Sequence, residues 1–257
     1  MKSPIGWVGG KSRVVHKLLP IIPEHVCYAE VFGGAGWLLF AKAPSRVEIL
    51  NDLDGNLMNF WSVVKNAPDQ LIESFNYNLI SRETFDTCRL KFINGEYEDS
   101  IERAHIFYYI LKTCFGCKMT ELSFGITKTR SLAFNVDRIE KDINAAYERL
   151  KHVTIESLDF RKVMKHYDSA DTLFFLDPPY LDTMGYAVGD FGINDYYDLH
   201  AIINQISGKF ILTVNDHPDL RNMFKDFNFI EHDVLYSMMS NKAKQRKFGE
   251  LIITNYT

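Results

Sequence analysis

Apolar residues along this chain fall into short solid runs separated by segments of helical period. Runs of four to six apolar residues bounded by turn residues read as strands buried on both faces. Residues 28–32 form one such strand, running into Gly33-Gly34-Ala35-Gly36. A helix follows from Gly36 and ends before Pro44, because the residue preceding a proline is pushed out of the helical region. Residues 46–50 read as a second strand, closed by Asn51-Asp52. Ahead of both, 12–19 reads as a short helix stopped by Pro20.

The middle of the chain changes character. Leu57, Phe60, Trp61 and Val64 sit at helical spacing, Pro68 opens another helix, and Ser81 caps a third. A fourth runs from 99 to about 114. Four helices with no strand between them break the alternation, so 56–134 reads as an inserted helical domain in a core made of 1–55 and 135–257. Its polar, glycine-containing tail, 115–134, is either a hairpin or an irregular loop. Alternation then resumes. Val136, Ile139, Ile143, Ala146 and Leu150 mark one helix face; 153–157, 172–176 and 210–214 read as strands. Asp195 caps a helix through Ile206, stopped near Gly208, and another helix starts at Pro218. Residues 229–236 and 251–256 read as two strands joined by a short basic loop. This is an α/β pattern.

Composition narrows the function classes. The 257 residues are 46% hydrophobic and 24% charged, as in a globular protein of one large domain or one domain with an insertion. Lys+Arg is 29 against 33 Asp+Glu, a net charge of -4. That excludes a uniformly basic nucleic-acid coat but leaves room for a local basic face. No apolar run approaches the roughly 18 residues of a membrane span, and the first seven residues lack the apolar core of a signal peptide. The expected location is the cytoplasm, where Cys27, Cys88, Cys114 and Cys117 stay reduced. Cys114 and Cys117 form a C-x-x-C, but a structural zinc site needs two more ligands at similar spacing, and no two histidines lie three or four apart. No metal is expected. His105 and the Phe107-Tyr108-Tyr109 run, in a strongly apolar helix, read as core.

Asp177-Pro178-Pro179-Tyr180 is the sharpest chemical signal. It follows a solid apolar strand, and ligands of open α/β sheets bind at the carboxyl ends of strands. Two prolines after an acid make a stiff, donor-poor turn that presents the Asp177 carboxylate and the Pro178 carbonyl in fixed directions. Both are acceptors, suited to the two N–H donors of an exocyclic amino group, and Tyr180 offers a flat face to a base. Taken alone, the same residues also describe an ordinary strand-ending proline turn. Glu30-Val31-Phe32-Gly33-Gly34-Ala35-Gly36 is the second signal, a strand entering a turn that lets a ligand approach the backbone. Leu39 stands where the dinucleotide fingerprint requires its third glycine, so a nucleoside-type ligand suits the turn better than a pyrophosphate. Asp52 ends the next strand, where an acid accepts hydrogen bonds from a ribose. Gly9-Gly10-Lys11-Ser12 has a P-loop ending, but Gly6 leaves one residue too few before Gly10-Lys11-Ser12 and no strand precedes it.

Together these residues resemble the Dam-type, D12 class DNA adenine-N6 methyltransferases, the group with its target-recognition insert after the second motif. Trp7-Val8-Gly9-Gly10-Lys11 matches the family's W-x-G-G-K, 30–36 its E-x-F-x-G-x-G, and Asn51-Asp52 the acidic end of its second strand. Asp159-Phe160 matches its D-F pair, 177–180 its D-P-P-Y, and 250–256 its terminal strand. The order is kept over nearly the whole chain. The resemblance implies a Rossmann-like seven-stranded, mostly parallel methyltransferase sheet with a helical target-recognition insert. It implies S-adenosyl-L-methionine as methyl donor, in a pocket of Trp7, Lys11, Phe32, Gly34, Asp52, Asp159, Phe160 and Asp177. Within it, Lys11 faces the methionine carboxylate, Asp52 the ribose and Phe160 the adenine. It implies double-stranded DNA as substrate, with Asp177, Pro178, Pro179 and Tyr180 acting on a flipped-out adenine.

Departures from the family lie in the insert. Phe115-Gly116-Cys117-Lys118-Met119 stands where N-G-L-x-R is common, without the arginine, and Phe134-Asn135-Val136-Asp137 keeps three of F-N-V-P. The usual GATC target is therefore not assumed. Lys242, Lys244, Arg246 and Lys247 give a local +4, and Lys112, Lys118, Lys128 and Arg130 less Glu121 give +3. Both clusters are expected to grip phosphates. Ser123, Thr127, Lys128 and Arg130 are candidates for base edges. Residues 182–195, with Tyr186 and Phe191, are either a lid over the flipped base or a surface loop. Asp177 itself disfavours the cytosine-N4 reading, where Ser is usual, and the RNA adenine-N6 reading, where Asn is usual. A non-catalytic DNA-binding relic is disfavoured by the intact turn. A cognate restriction endonuclease is a possible partner, and a monomer is expected.

Overall fold

The computed structural model describes residues 1–7, 9–76, 79–117, 119, 122–125, 134–181, 191–235 and 247–257. The strands are β1 (Cys27–Glu30), β2 (Val47–Asn51), β3 (Thr154–Glu156), β4 (Thr172–Leu176), β5 (Lys209–Asn215), β6 (Asn228–Leu235) and β7 (Lys247–Thr254). They form a seven-stranded sheet in the order β3-β2-β1-β4-β5-β7-β6. β1 with β4, β2 with β3 and β4 with β5 run parallel, whereas β7 is antiparallel to both β5 and β6. This is the expected seven-stranded methyltransferase-like sheet, its antiparallel member supplied by the final hairpin. Every residue of β4 and the five inner residues of β5 are buried, which explains why both strands are largely apolar.

The ten helices of the described residues are α1 (Val15–Leu18), α2 (Trp37–Ala41), α3 (Gly55–Asn66), α4 (Pro68–Ser74), α5 (Arg82–Asn94), α6 (Ser100–Thr113), α7 (Val136–Leu150), α8 (Phe160–Tyr167), α9 (Ile193–Ile203) and α10 (Pro218–Met223). Local chemistry explains most starts. Asp54 accepts from the N–H groups of Asn56 and Leu57, Ser81 from Thr84, and Asp99 from Glu102. Four expectations are corrected. Residues 12–19 are not one helix: α1 lies between 3-10 turns Lys11–Arg13 and Leu19–Ile21. Pro20 sits in the first turn of the latter, where no N–H is needed, so it continues the chain instead of stopping it. Asp195 is not a cap; it lies inside α9 and accepts from the N–H of Gly192 at 3.0 Å. α9 also ends at Ile203 rather than Ile206. α8, absent from the sequence reading, is capped by Asp159 and buries Phe160, Val163 and Met164 at helical spacing.

Two compact units emerge: Met1–Ile22, Gly33–Pro44 and Glu48–Ser157 in the first, and Pro23–Phe32, Ser45–Val47 and Leu158–Thr257 in the second. In the first unit, α3, α4, α5 and α6 follow one another with no strand between them. Phe60 stacks on Tyr108, and Phe107 and Trp61 pack beside it. His105 is half-buried rather than in the core; it stacks on Phe75 at 4.3 Å and bonds Ser74, and desolvation lowers its pKa to about 4. Glu48 is buried between Lys42 and Arg149, tying α7 to β2. After α6 the chain pairs with itself as at the start of a hairpin: Cys114 and Phe124 form an antiparallel bridge, with Phe115 N–H donating to Ser123 O and Gly125 N–H to Thr113 O. Cys27, Cys88 and Cys114 are free thiols. Among the described residues no helix is long and apolar enough to cross a membrane.

Candidate active site

In the second unit β1 and β4 are parallel neighbours, and Val31 N–H donates to Phe175 O at 3.0 Å beyond the last strand pair. The sheet order reverses between these strands, which makes their carboxyl ends a topological switch point. Phe32 follows one end and Asp177 the other. Asp177 is half-buried, and the Thr213 hydroxyl donates to its Oδ1 at 2.7 Å. Pro178 is buried; Pro179 offers its carbonyl to the Tyr196 hydroxyl at 2.9 Å. The Tyr180 hydroxyl donates to the buried Glu250 carboxylate. Asn215 bonds both sides of Leu181, accepting its N–H at 3.0 Å and donating to its carbonyl at 3.1 Å. The acidic turn is thus a fixed object before any ligand arrives.

Beside it, three rings meet. Phe32 lies 5.6 Å from Phe160 and 5.6 Å from Phe191, and Phe160 lies 5.8 Å from Phe191. The Arg161 guanidinium stands 4.3 Å from the Phe160 ring centre and pairs with Asp159, Asp195 and Asp198. Asp159 therefore has structural duties: it caps α8 through Arg161 N–H and holds the Arg161 side chain.

In the first unit the glycine-rich turn is shaped by close approach. A Cβ on Gly33 would fall 2.5 Å from Leu50 Cδ1 and 2.9 Å from Asn51 O, so only glycine fits. Gly34 and Gly36 have φ of 50° and 65°, the left-handed region that favours glycine. The Trp7 indole packs against Gly34, within 3.0 Å of where a Cβ would stand, and the Trp61 indole donates to Gly34 O at 3.1 Å. Asp52 accepts from Gly34 N–H at 2.8 Å and Asp54 N–H at 2.9 Å. Burial pushes its carboxyl above the ordinary aspartate value, against the pull of those backbone bonds. Lys11 is 4% exposed, in the 3-10 turn that follows the Trp7–Gly10 reverse turn.

The structure therefore brings Trp7, Gly34 and Asp52 together in one unit, and Phe32, Phe160 and Asp159 in the other. Sequence reasoning gave no part in the site to Thr213, Asn215, Tyr196, Glu250 or Trp61, although Trp61 was read on a helix face and Glu250 in the terminal strand. One signal was available: Thr213 and Asn215 are polar residues at alternate positions of an otherwise apolar strand. Lys112, expected on phosphates, instead donates to Pro4 O at 2.6 Å and lies over the Tyr108 ring. Its long stem fits a buried carbonyl of the N-terminal segment better than solvent. Lys118, Lys128, Arg130, Lys242, Lys244, Arg246 and Thr127 lie outside the described residues, as do Tyr186 and most of the 182–195 segment.

Comparison with known proteins converges on one family. The family model described as D12 class N6 adenine-specific DNA methyltransferase matches residues 7–238. The type II methyltransferase M1.LlaDCHI of Lactococcus lactis subsp. cremoris is 26% identical, over 97% of this chain and 94% of its own. M.CviBI of Paramecium bursaria Chlorella virus NC1A is 24% identical over all of both chains. The DNA adenine methylase of Haemophilus influenzae is 24% identical, over 96% of this chain and 91% of its own.

Proposed function

The chain belongs to the D12 class of N6 adenine-specific DNA methyltransferases, and we propose that it transfers a methyl group from S-adenosyl-L-methionine to N6 of an adenine flipped out of double-stranded DNA. The carrying observation is Asp177, a half-buried carboxylate at the end of a fully buried strand, oriented by the Thr213 hydroxyl. Adenine N6 is a weak nucleophile because its lone pair is delocalised into the ring. Acceptors at Asp177 and the Pro178 carbonyl would take its two N–H bonds out of conjugation and aim the lone pair. Tyr180 would stack on the flipped base.

The donor set fits the cofactor. Asp52 accepts from the backbone N–H groups of Gly34, Leu53 and Asp54, and a carboxylate offers about four acceptor positions, so a ribose hydroxyl can share it. Lys11 supplies a cation for the methionine carboxylate, and Phe160, with Phe32, an aromatic surface for a purine. Trp7 and Gly34 shape the turn and Asp159 holds the helix that carries Phe160. Bound there, the cofactor would supply an electrophilic methyl on a positively charged sulfur. Asp177 and the Pro178 carbonyl would hold N6 in line with that methyl, so that it would pass to nitrogen while the departing sulfur would keep the bonding electron pair. Positioning carries most of the rate. No strong base is needed, since the alkylated nitrogen sheds its proton readily.

We assign target recognition to 56–134 and catalysis to 1–55 with 135–257. Lys118, Lys128, Arg130, Lys242, Lys244 and Arg246 are proposed phosphate or base contacts. A monomer acting in the cytoplasm is the simplest assembly. Relatives named type II methyltransferases make a cognate restriction endonuclease a reasonable partner.

The test is methyl transfer from labelled S-adenosyl-L-methionine to unmethylated duplex DNA, with RNA in parallel and digestion to nucleosides. N6-methyladenine in DNA is the expected product. N4-methylcytosine, or label only in RNA, would replace this reading with the corresponding alternative. DNA binding without cofactor binding would indicate a relic.

A further inference from the structure

We propose that Thr213, Asn215 and Glu250 form a positioning template for the methyl-transfer site, a role that rests on the methyltransferase reading. In an antiparallel pair, directly opposed residues share a face of the sheet. Asn215 opposes Glu250 across β5 and β7, and Thr213, two residues back, lies on that same face. Both strands are otherwise apolar here. Thr213 is 0% exposed and Glu250 2%, and such groups are costly to bury without partners.

All three reach into one five-residue segment. The Thr213 hydroxyl has a single proton and two acceptors in range: Asp177 Oδ1 at 2.7 Å and Leu176 O at 3.4 Å. The shorter, charged acceptor takes it. Asn215 clamps the Leu181 peptide groups by two bonds, which fixes orientation as well as position. Glu250 accepts from the Tyr180 hydroxyl. Between these anchors stand Pro178 and Pro179, which have no N–H to donate. The segment therefore cannot be held by a backbone ladder of its own. The Asp177 carboxylate and the Tyr180 ring are both referenced to one rigid sheet face instead. In-line transfer is sensitive to such referencing, since misplacement by about 1 Å can cost about 100-fold in rate.

The test compares Thr213→Val, which keeps shape and deletes the hydroxyl, with Thr213→Ser, which keeps the hydroxyl. Single-turnover methyl transfer to duplex DNA, duplex affinity and thermal midpoint are measured for each. The Val variant is expected to transfer about 10- to 100-fold more slowly, the range of a bond to a charged acceptor, with duplex affinity unchanged and the protein still folded at the assay temperature though with a lower thermal midpoint. The Ser variant is expected to recover most of the rate. A Val variant as fast as wild type, or a Ser variant as slow as Val, overturns the template. If Val does not fold, Thr213→Ala against Thr213→Ser reads the same hydroxyl. Wild-type protein that methylates no DNA would instead overturn the underlying reading, an outcome visible before any variant is made.

Discussion

Two turns, one in each unit, are held by different chemistry. In the Asp177–Leu181 segment the acid and the prolines are held by donors from outside, Thr213 on Asp177 and Tyr196 on Pro179, whereas the end of the segment also donates outward, Tyr180 to Glu250 and Leu181 N–H to Asn215. The Gly33–Gly36 turn presents N–H groups, and acceptors fix it: Asn51 O takes Gly33 N–H, Asp52 takes Gly34 N–H, and Gly33 O takes Gly36 N–H. Proline removes donors and glycine uncovers them. Under the proposed function, the first would suit the turn that receives an amino group and the second the turn that a polar cofactor approaches.

The contrast can be broken at each turn. Asp177→Asn keeps the shape but turns one acceptor into a donor aimed at the target amino group. Transfer should fall about 100- to 1000-fold, the scale of losing a charge-placed contact at the reacting centre, measured under single turnover. A drop of only a few-fold would mean that the acceptor pattern is not what matters. Gly33→Ala attacks the other turn. Its Cβ meets Leu50 Cδ1 at 2.5 Å and Asn51 O at 2.9 Å, so the backbone must move. The expected cost is about 1–3 kcal/mol, read as a thermal midpoint lower by about 2–4 °C per kcal/mol, with weaker cofactor binding.

Asp52 offers a subtler probe. Its folded carboxyl titrates above the unfolded value, so neutralising it favours the folded state. Its contribution is fully present below about pH 4 and is lost as pH rises through the raised folded value. The stability of wild type relative to Asp52→Asn should therefore decline with rising pH across that window, followed by denaturant unfolding. A rising difference would mean that the Gly34 and Asp54 N–H groups outweigh burial. The smallest effect is expected from Tyr196→Phe. It removes one donor from the Pro179 carbonyl, costing about 1 kcal/mol and about 2–4 °C in midpoint.

What could be read from the sequence follows the range of the interactions involved. Helices α3 to α6 announced themselves through Pro68, Ser81, Asp99 and their apolar spacing, all local signals. So did β4 and the turns at its end and after β1. Asp195 was misplaced because an acid ahead of an apolar run looks alike as a cap or as a first-turn residue reaching back to it. α8 was missed because Asp159 was taken for a ligand, although Phe160, Val163 and Met164 carry helical spacing. Lys112 was assigned to phosphate because a sequence shows charge but not the Pro4 carbonyl, which lies 108 positions away. The roles of Thr213, Asn215 and Glu250 depend on the register of β5 against β7, a pairing no local pattern encodes.

The most direct test of the account is to express wild type and Asp177→Ala in a host whose DNA lacks N6-methyladenine, then to quantify modified nucleosides and map them along the DNA. Wild type should leave N6-methyladenine at one recurring sequence, and Asp177→Ala none. Absence of N6-methyladenine with soluble wild-type protein, or equal methylation by both proteins, would contradict it.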